Sequence, residues 1–151
     1  MLEGCRSARA RWGGQSEVID QLLNERQELI VLYCSINGME PFMEDRRPVS
    51  NKLKELCQLM VDYISAGHFE VYEGVLQTLL NTGKQESVRS IYSRIEGNTE
   101  RCLEFNDHCE QIGNLQQLKD ALSQLGETLE ERFMLEDQLL ESMQTTQKTE
   151  L

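Results

Sequence analysis

Between Leu115 and Met143 the apolar residues Leu115, Leu118, Leu122, Leu125, Leu129, Phe133, Leu140 and Met143 recur at helical spacing. A period near 3.6 places them all on one helix face and excludes the every-second-residue alternation of a half-buried strand. The pattern occurs three more times. Val18, Ile19, Leu22, Leu23, Leu29, Ile30, Leu32, Tyr33 and Ile36 stripe a helix predicted from Ser16 to Ile36. Leu53, Leu56, Cys57, Met60, Val61 and Ile64 stripe a second, starting at Ser50 or Asn51 and resumed by Val71, Tyr72, Val75, Leu76, Leu79 and Leu80. Val88, Ile91, Tyr92, Ile95, Cys102, Leu103 and Phe105 stripe a third, from about Lys84 to Cys109. Four helices with one apolar face each must bury those faces together. The pattern therefore predicts an all-α fold: an antiparallel four-helix bundle with a short N-terminal helix and a second helix kinked near Ala66-Gly67.

The breaks agree with this order. Asn37-Gly38 has the residues of a left-handed C-cap, and both prolines, Pro41 and Pro48, fall in a loop predicted over residues 39–49. Asn81-Thr82-Gly83 and Ile112-Gly113-Asn114 are turns. Residues 1–14 form an N-terminal arm, with Trp12 packing on the bundle end, and residues 145–151 a polar tail that frays. With 151 residues, the chain is predicted to be one domain.

Charge narrows the partners. The net charge is −11, and Glu96 to Glu141 holds twelve acids against three bases, so the C-terminal helices carry the acidic face. Such a surface repels nucleic acid and anionic membranes and attracts basic proteins. No apolar run reaches membrane-spanning length and no signal peptide is visible, which predicts a cytoplasmic protein. Five cysteines occur, with no C-x-x-C pair. Cys34, Cys57 and Cys102 fall on apolar stripes and read as reduced core residues.

One stretch departs from the pattern. Asp62-Tyr63-Ile64-Ser65-Ala66-Gly67-His68-Phe69-Glu70-Val71-Tyr72-Glu73 puts a glycine, a histidine and three aromatics inside a helix. A mid-helix glycine costs about 1 kcal/mol relative to alanine. At α-helical spacing Asp62, Ser65 and Phe69 line one side, continued by Tyr72 and Glu73. That combination suits a partner offering an apolar pocket and an arginine. Equally, Phe69 and Tyr72 can be ordinary core, with Gly67 permitting a close helix crossing.

Chemistry fits less well. Di-iron bundles need Glu-x-x-His motifs, and neither His68 nor His108 follows a glutamate by three. Glu104 and His108 read as a solvated i,i+4 pair rather than, with His68 and Glu136, a metal site. Ser65 and His68 lack a third, orienting group, and no phosphate-binding glycine loop occurs. No metal, cofactor or catalytic residue is expected.

The segment from Cys57 to Glu73 resembles the Rsd/AlgQ family of bacterial anti-sigma factors. So do Met1-Leu2-Glu3 with Cys5, Arg11-Trp12-Gly13-Gly14, Ile19-Asp20, Leu23, Glu25-Arg26-Gln27, Leu29, Glu131-Arg132-Phe133 and Leu135-Glu136-Asp137, with the start closer to the AlgQ branch. The resemblance implies an all-α bundle that binds conserved region 4 of the primary sigma factor. It implies masking of the surfaces region 4 uses for core RNA polymerase and for promoter DNA, without catalysis. The family's binding residues fall on Asp62, Ser65 and Phe69, with Gly67, His68, Tyr72 and Glu73 in the same motif. Some members serve stationary-phase or virulence control, or bind a sugar-transport phosphocarrier protein. Gln21-Leu22 stands where the family often has Arg-Trp, and the loop at 39–49 is this chain's own. The rival reading is an acidic helical adaptor for another regulatory protein.

Overall fold

A computed structural model of the chain describes residues 1–14, 17–37, 47–67, 85–111 and 115–149, together with Gly74, Gln77 and Gly83. Among the described residues, five α-helices with described bounds carry the fold. They are α1 (Leu2–Trp12), α2 (Glu17–Asn37), α3 (Arg47–Asp62), α4 (Gln85–His108) and α5 (Leu115–Thr149). A π-helical turn, Tyr63–Gly67, continues α3, and a 3-10 turn, Cys109–Gln111, ends α4. No strand occurs among the described residues.

The apolar stripes meet as their spacing requires. Ile19, Leu22, Leu23, Leu29, Ile30 and Ile36 of α2 share one core with Leu56 and Met60 of α3, Val88, Ile95 and Cys102 of α4, and Leu122, Leu129, Leu135 and Leu140 of α5. Two polar contacts give the sense of packing. Tyr33 Oη donates to the Leu122 carbonyl at 2.6 Å, and Arg26 reaches Glu136 at 3.1 Å, so descending α2 ascends α5. The two helices are antiparallel. They approach closely at Gly126, where a Cβ would collide with the Tyr33 hydroxyl and lie 3.0 Å from its ring carbon Cζ.

The N-terminal arm is a helix built into the core. Cys5, Ala8 and Trp12, spaced by three and four, are buried, and α1 packs along α2. Arg11 stacks over the Trp12 ring at 4.8 Å and pairs with Glu141. Gly13 N–H closes the helix on the Arg9 carbonyl at 2.9 Å. Gly14 then turns the chain at φ +82°, a left-handed conformation open to glycine, and its N–H donates to Asp20 at 2.7 Å.

Four boundary or register expectations change. Helix α3 starts at Arg47, three residues before Ser50, because Pro48 falls in its first turn, where a missing N–H costs nothing. Helix α5 continues to Thr149, past Thr145, since Gln144, Gln147 and Lys148 favour helix and no glycine or proline intervenes. Cys34 is exposed, one position off the buried register of Leu29, Ile30, Tyr33 and Ile36. Leu103 is exposed because α4 buries Ile95, Asn98 and Cys102, in steps of three and four. Ser16, the predicted start of α2, and the expected cap residue Gly38 lie outside the described residues.

Candidate protein-interaction site

The interrupted stretch is a change of helix type. From Tyr63 to Gly67 the backbone widens into a π-helical turn, where hydrogen bonds span five residues instead of four. Asp62, at the end of α3, and Ser65, inside the turn, are exposed, whereas Tyr63 and Ile64 between them are buried. Gln58, one turn earlier, donates to Asp62 Oδ1 at 3.1 Å, holding the carboxylate at the surface. Within residues 63–67 the wider turn replaces α-helical spacing. Gly67 is the last residue of the turn, and His68, Phe69, Tyr72 and Glu73 lie outside the described residues.

What holds this turn is a buried polar cluster. The Tyr63 hydroxyl donates to Glu136 Oε1 at 2.5 Å and accepts from Arg26 Nε at 3.2 Å. Arg26 also donates to Glu136 Oε1 at 3.1 Å and to Asp137 Oδ1 at 2.8 Å. On the far side, Arg132 lies 3.3 Å from Glu136 Oε2 and donates to Thr99 Oγ1 at 2.8 Å and Asn98 Oδ1 at 3.3 Å. Asn98 in turn donates to the Thr128 carbonyl at 2.7 Å. Arg26, Arg132 and Glu136 are at most 2% exposed. Phe133 packs between them, edge-on to Tyr63 at 5.9 Å and beneath the Arg26 guanidinium at 5.0 Å.

The electrostatics are self-consistent. Burial works to discharge Arg26, yet Tyr63, Glu136 and Asp137 outweigh it and hold its pKa well above the usual arginine value. Burial, reinforced by the Glu136 carboxylate, pushes the Tyr63 hydroxyl far up, so it remains a donor. Burial also raises Asp137, with Arg26 opposing. Two buried guanidiniums thus face the buried Glu136 carboxylate, with the part-exposed Asp137 as a second acid on Arg26. Removing one member of such a set costs about 3–5 kcal/mol, because the others are left charged in a dry site. The cluster ties α2, α3, α4 and α5 together at the point from which Asp62 and Ser65 project.

Both Glu136 oxygens therefore face protein donors, which is a structural role and not that of a metal ligand. Glu104 and His108 are exposed on α4, and His68 lies outside the described residues. Among the described residues, no group of three or more His, Cys, Asp or Glu side chains converges for a metal ion.

The apolar periodicity of the sequence does not mark Arg26, Arg132 and Asn98 as positioning groups. Their signal was a polar residue on an apolar face: Arg26 lies three or four residues from Leu22, Leu23, Leu29 and Ile30, and Arg132 three residues from Leu129 and Leu135.

The fold and site define an acidic helical bundle whose core holds buried ion pairs and whose surface carries an irregular helical turn. The chain belongs to the Rsd/AlgQ family: residues 1–144 match the family described as regulator of RNA polymerase sigma(70) subunit. It is 34% identical over 148 residues to the regulator of sigma D of Yersinia enterocolitica, covering 93% of this chain and 89% of that one. It is 35% identical to the proteins of the same name from Yersinia pseudotuberculosis, covering 93% and 88%, and Salmonella arizonae, covering 93% and 90%. The family is one of regulators, not of enzymes.

Proposed function

We propose that the protein is a stoichiometric anti-sigma factor that binds region 4 of the primary sigma factor through the face carrying Asp62 and Ser65. The observation that carries this is local. Two exposed polar residues flank a tyrosine locked to Glu136 and Arg26, so the surface turn is held by buried bonds. A preorganised surface loses little freedom on binding. Region 4 carries a helix-turn-helix made basic by its work on DNA phosphates. An acidic bundle competes for that basic face, and Asp62 pairs with a sigma arginine or caps a sigma helix. Phe69 supplies the apolar anchor of the same motif. The mechanism is masking of region 4 in the cytoplasm, without a chemical step. No helix among the described residues is long and apolar enough to cross a membrane.

The test is calorimetric titration of the full chain with isolated region 4 at two salt concentrations, repeated with Asp62→Ala and Phe69→Ala. One-to-one binding that weakens with salt and is lost in both variants, with far-UV circular dichroism unchanged, supports this reading. A folded protein that does not bind at either salt overturns it in favour of the acidic-adaptor alternative.

A further inference from the structure

Cys57 and Cys109 are 52 residues apart, yet their sulfur atoms face each other at 3.1 Å. Cys57 sits in the middle of α3. Cys109 opens the single 3-10 turn after α4, and its thiol also points at the Asn106 carbonyl at 3.6 Å. Both side chains are mostly buried, but they form part of the wall of an open surface cleft of about 370 Å³, lined also by Lys54, Gln58, Val61 and Asn106. The remaining cysteines are placed differently. Cys5 is buried in α1, Cys34 is exposed on α2, and Cys102 is fully buried beside Asn98.

Two thiols at this separation need to close by only about 1 Å to form a bond, and the carbon frames already lie on facing elements. The terminal turn holding Cys109 is short, so a shift of that size leaves α4 in place. The cleft admits a small oxidant, and Lys54 lends it positive charge. We propose that Cys57 and Cys109 are a redox-modification site, closing on oxidation into a disulfide that fastens α3 to the end of α4. This goes beyond sigma binding and does not depend on it.

The oxidant class is a hydroperoxide. One sulfur, as thiolate, attacks the terminal peroxide oxygen. The O–O bond breaks, that sulfur becomes a sulfenic acid, and the departing alkoxide or hydroxide takes up a proton. The second sulfur then attacks the sulfenic sulfur. An S–S bond forms, the S–O bond breaks, and the hydroxide leaves with the second thiol's proton as water. Two thiols are oxidised, and one hydroperoxide is reduced to an alcohol, or to water for hydrogen peroxide, with one further water released. Exchange with a small dithiol reverses the bond. Because the disulfide would close a long loop, it restricts the unfolded chain and raises thermal stability.

The experiment uses the full chain carrying Cys34→Ser, which removes the exposed thiol. The protein is treated with hydrogen peroxide under native conditions, the remaining thiols are alkylated, and the chain is cleaved after glutamate. Cleavage at Glu104 puts Cys102 and Cys109 on different peptides, so the linkage is unambiguous in non-reducing mass spectrometry. The expected result is a dominant Cys57–Cys109 cross-linked peptide, loss of two thiols, a higher Tm, and reversal by dithiothreitol. The cross-link disappears in Cys57→Ser and in Cys109→Ser. Separate alkylation or over-oxidation of Cys57 and Cys109 without a cross-link, or linkage to other cysteines instead, overturns the proposal. No sigma factor enters the assay, so its failure is distinct from failure of the sigma-binding reading.

Discussion

Glu136 accepts hydrogen bonds from Tyr63 and Arg26 on one oxygen and faces Arg132 across the other. Its replacement is therefore the sharpest single-residue test of the buried cluster. Glu136→Gln leaves two buried guanidiniums short of a counter-charge and is expected to lose about 3 kcal/mol or more in a denaturant titration. Asp62→Ala removes an exposed carboxylate whose described hydrogen bond is to Gln58, and is expected to stay within about 0.5 kcal/mol of the parent. Equal losses in the two variants would mean that Asp62 is structural. Cys102 gives a pH test. Burial, only partly opposed by Arg132, pushes its thiol from 9.0 to about 11. An acid whose folded pKa is raised keeps the folded form favoured below its unfolded pKa. That advantage is lost as pH rises from about 9 to about 11, because the unfolded chain ionises first. Two pH units correspond to roughly 2–3 kcal/mol. Urea unfolding at about pH 8 and about pH 11 should show a smaller alkaline loss in Cys102→Ala than in the parent; parallel losses would contradict this.

Among the elements, the helices were legible because burial repeats along them: Leu122, Leu125, Leu129 and Phe133 announce α5 without any partner in view. The interruption at Gly67 was legible too, but not its form. A π-helical turn depends on Tyr63 being drawn down to Glu136 and Arg26, contacts with residues 73 and 37 positions away. Asp62 and Ser65 are candidates named by the motif they sit in, whereas the Cys57–Cys109 pair, without local spacing, needed the fold. Gly126 is another long-range feature, invisible as anything but a helix-weakening residue. Alanine there should gain about 1 kcal/mol of helix propensity. The clash with the Tyr33 hydroxyl outweighs it, since overpacking costs roughly 1–3 kcal/mol. Gly126→Ala is expected to lower Tm, and combining it with Tyr33→Phe should recover part of the loss by removing the obstructing oxygen. Additive effects in that double-mutant cycle would show that the two sites do not touch.

For the whole molecule, charge and shape have separate consequences. The chain carries −11 overall, and Glu96 to Glu141 accounts for most of it, with Glu100, Glu104, Glu127 and Glu130 exposed. In the proposed complex with region 4 these acids form a field, while Asp62 and Ser65 form a contact. A field acts on the encounter, so it governs the association rate and is screened over about 8 Å at physiological ionic strength. A contact acts after docking and governs dissociation. Stopped-flow binding to region 4 can therefore separate them. Neutralising Glu100 and Glu104 together with glutamine should slow association severalfold at low salt, leave the dissociation rate nearly unchanged, and lose its effect at high salt. Asp62→Ala should do the reverse, speeding dissociation at both salts. If the Glu100/Glu104 variant instead dissociated faster with association untouched, those carboxylates would lie inside the interface, and the binding face would extend from the α3 turn onto α4.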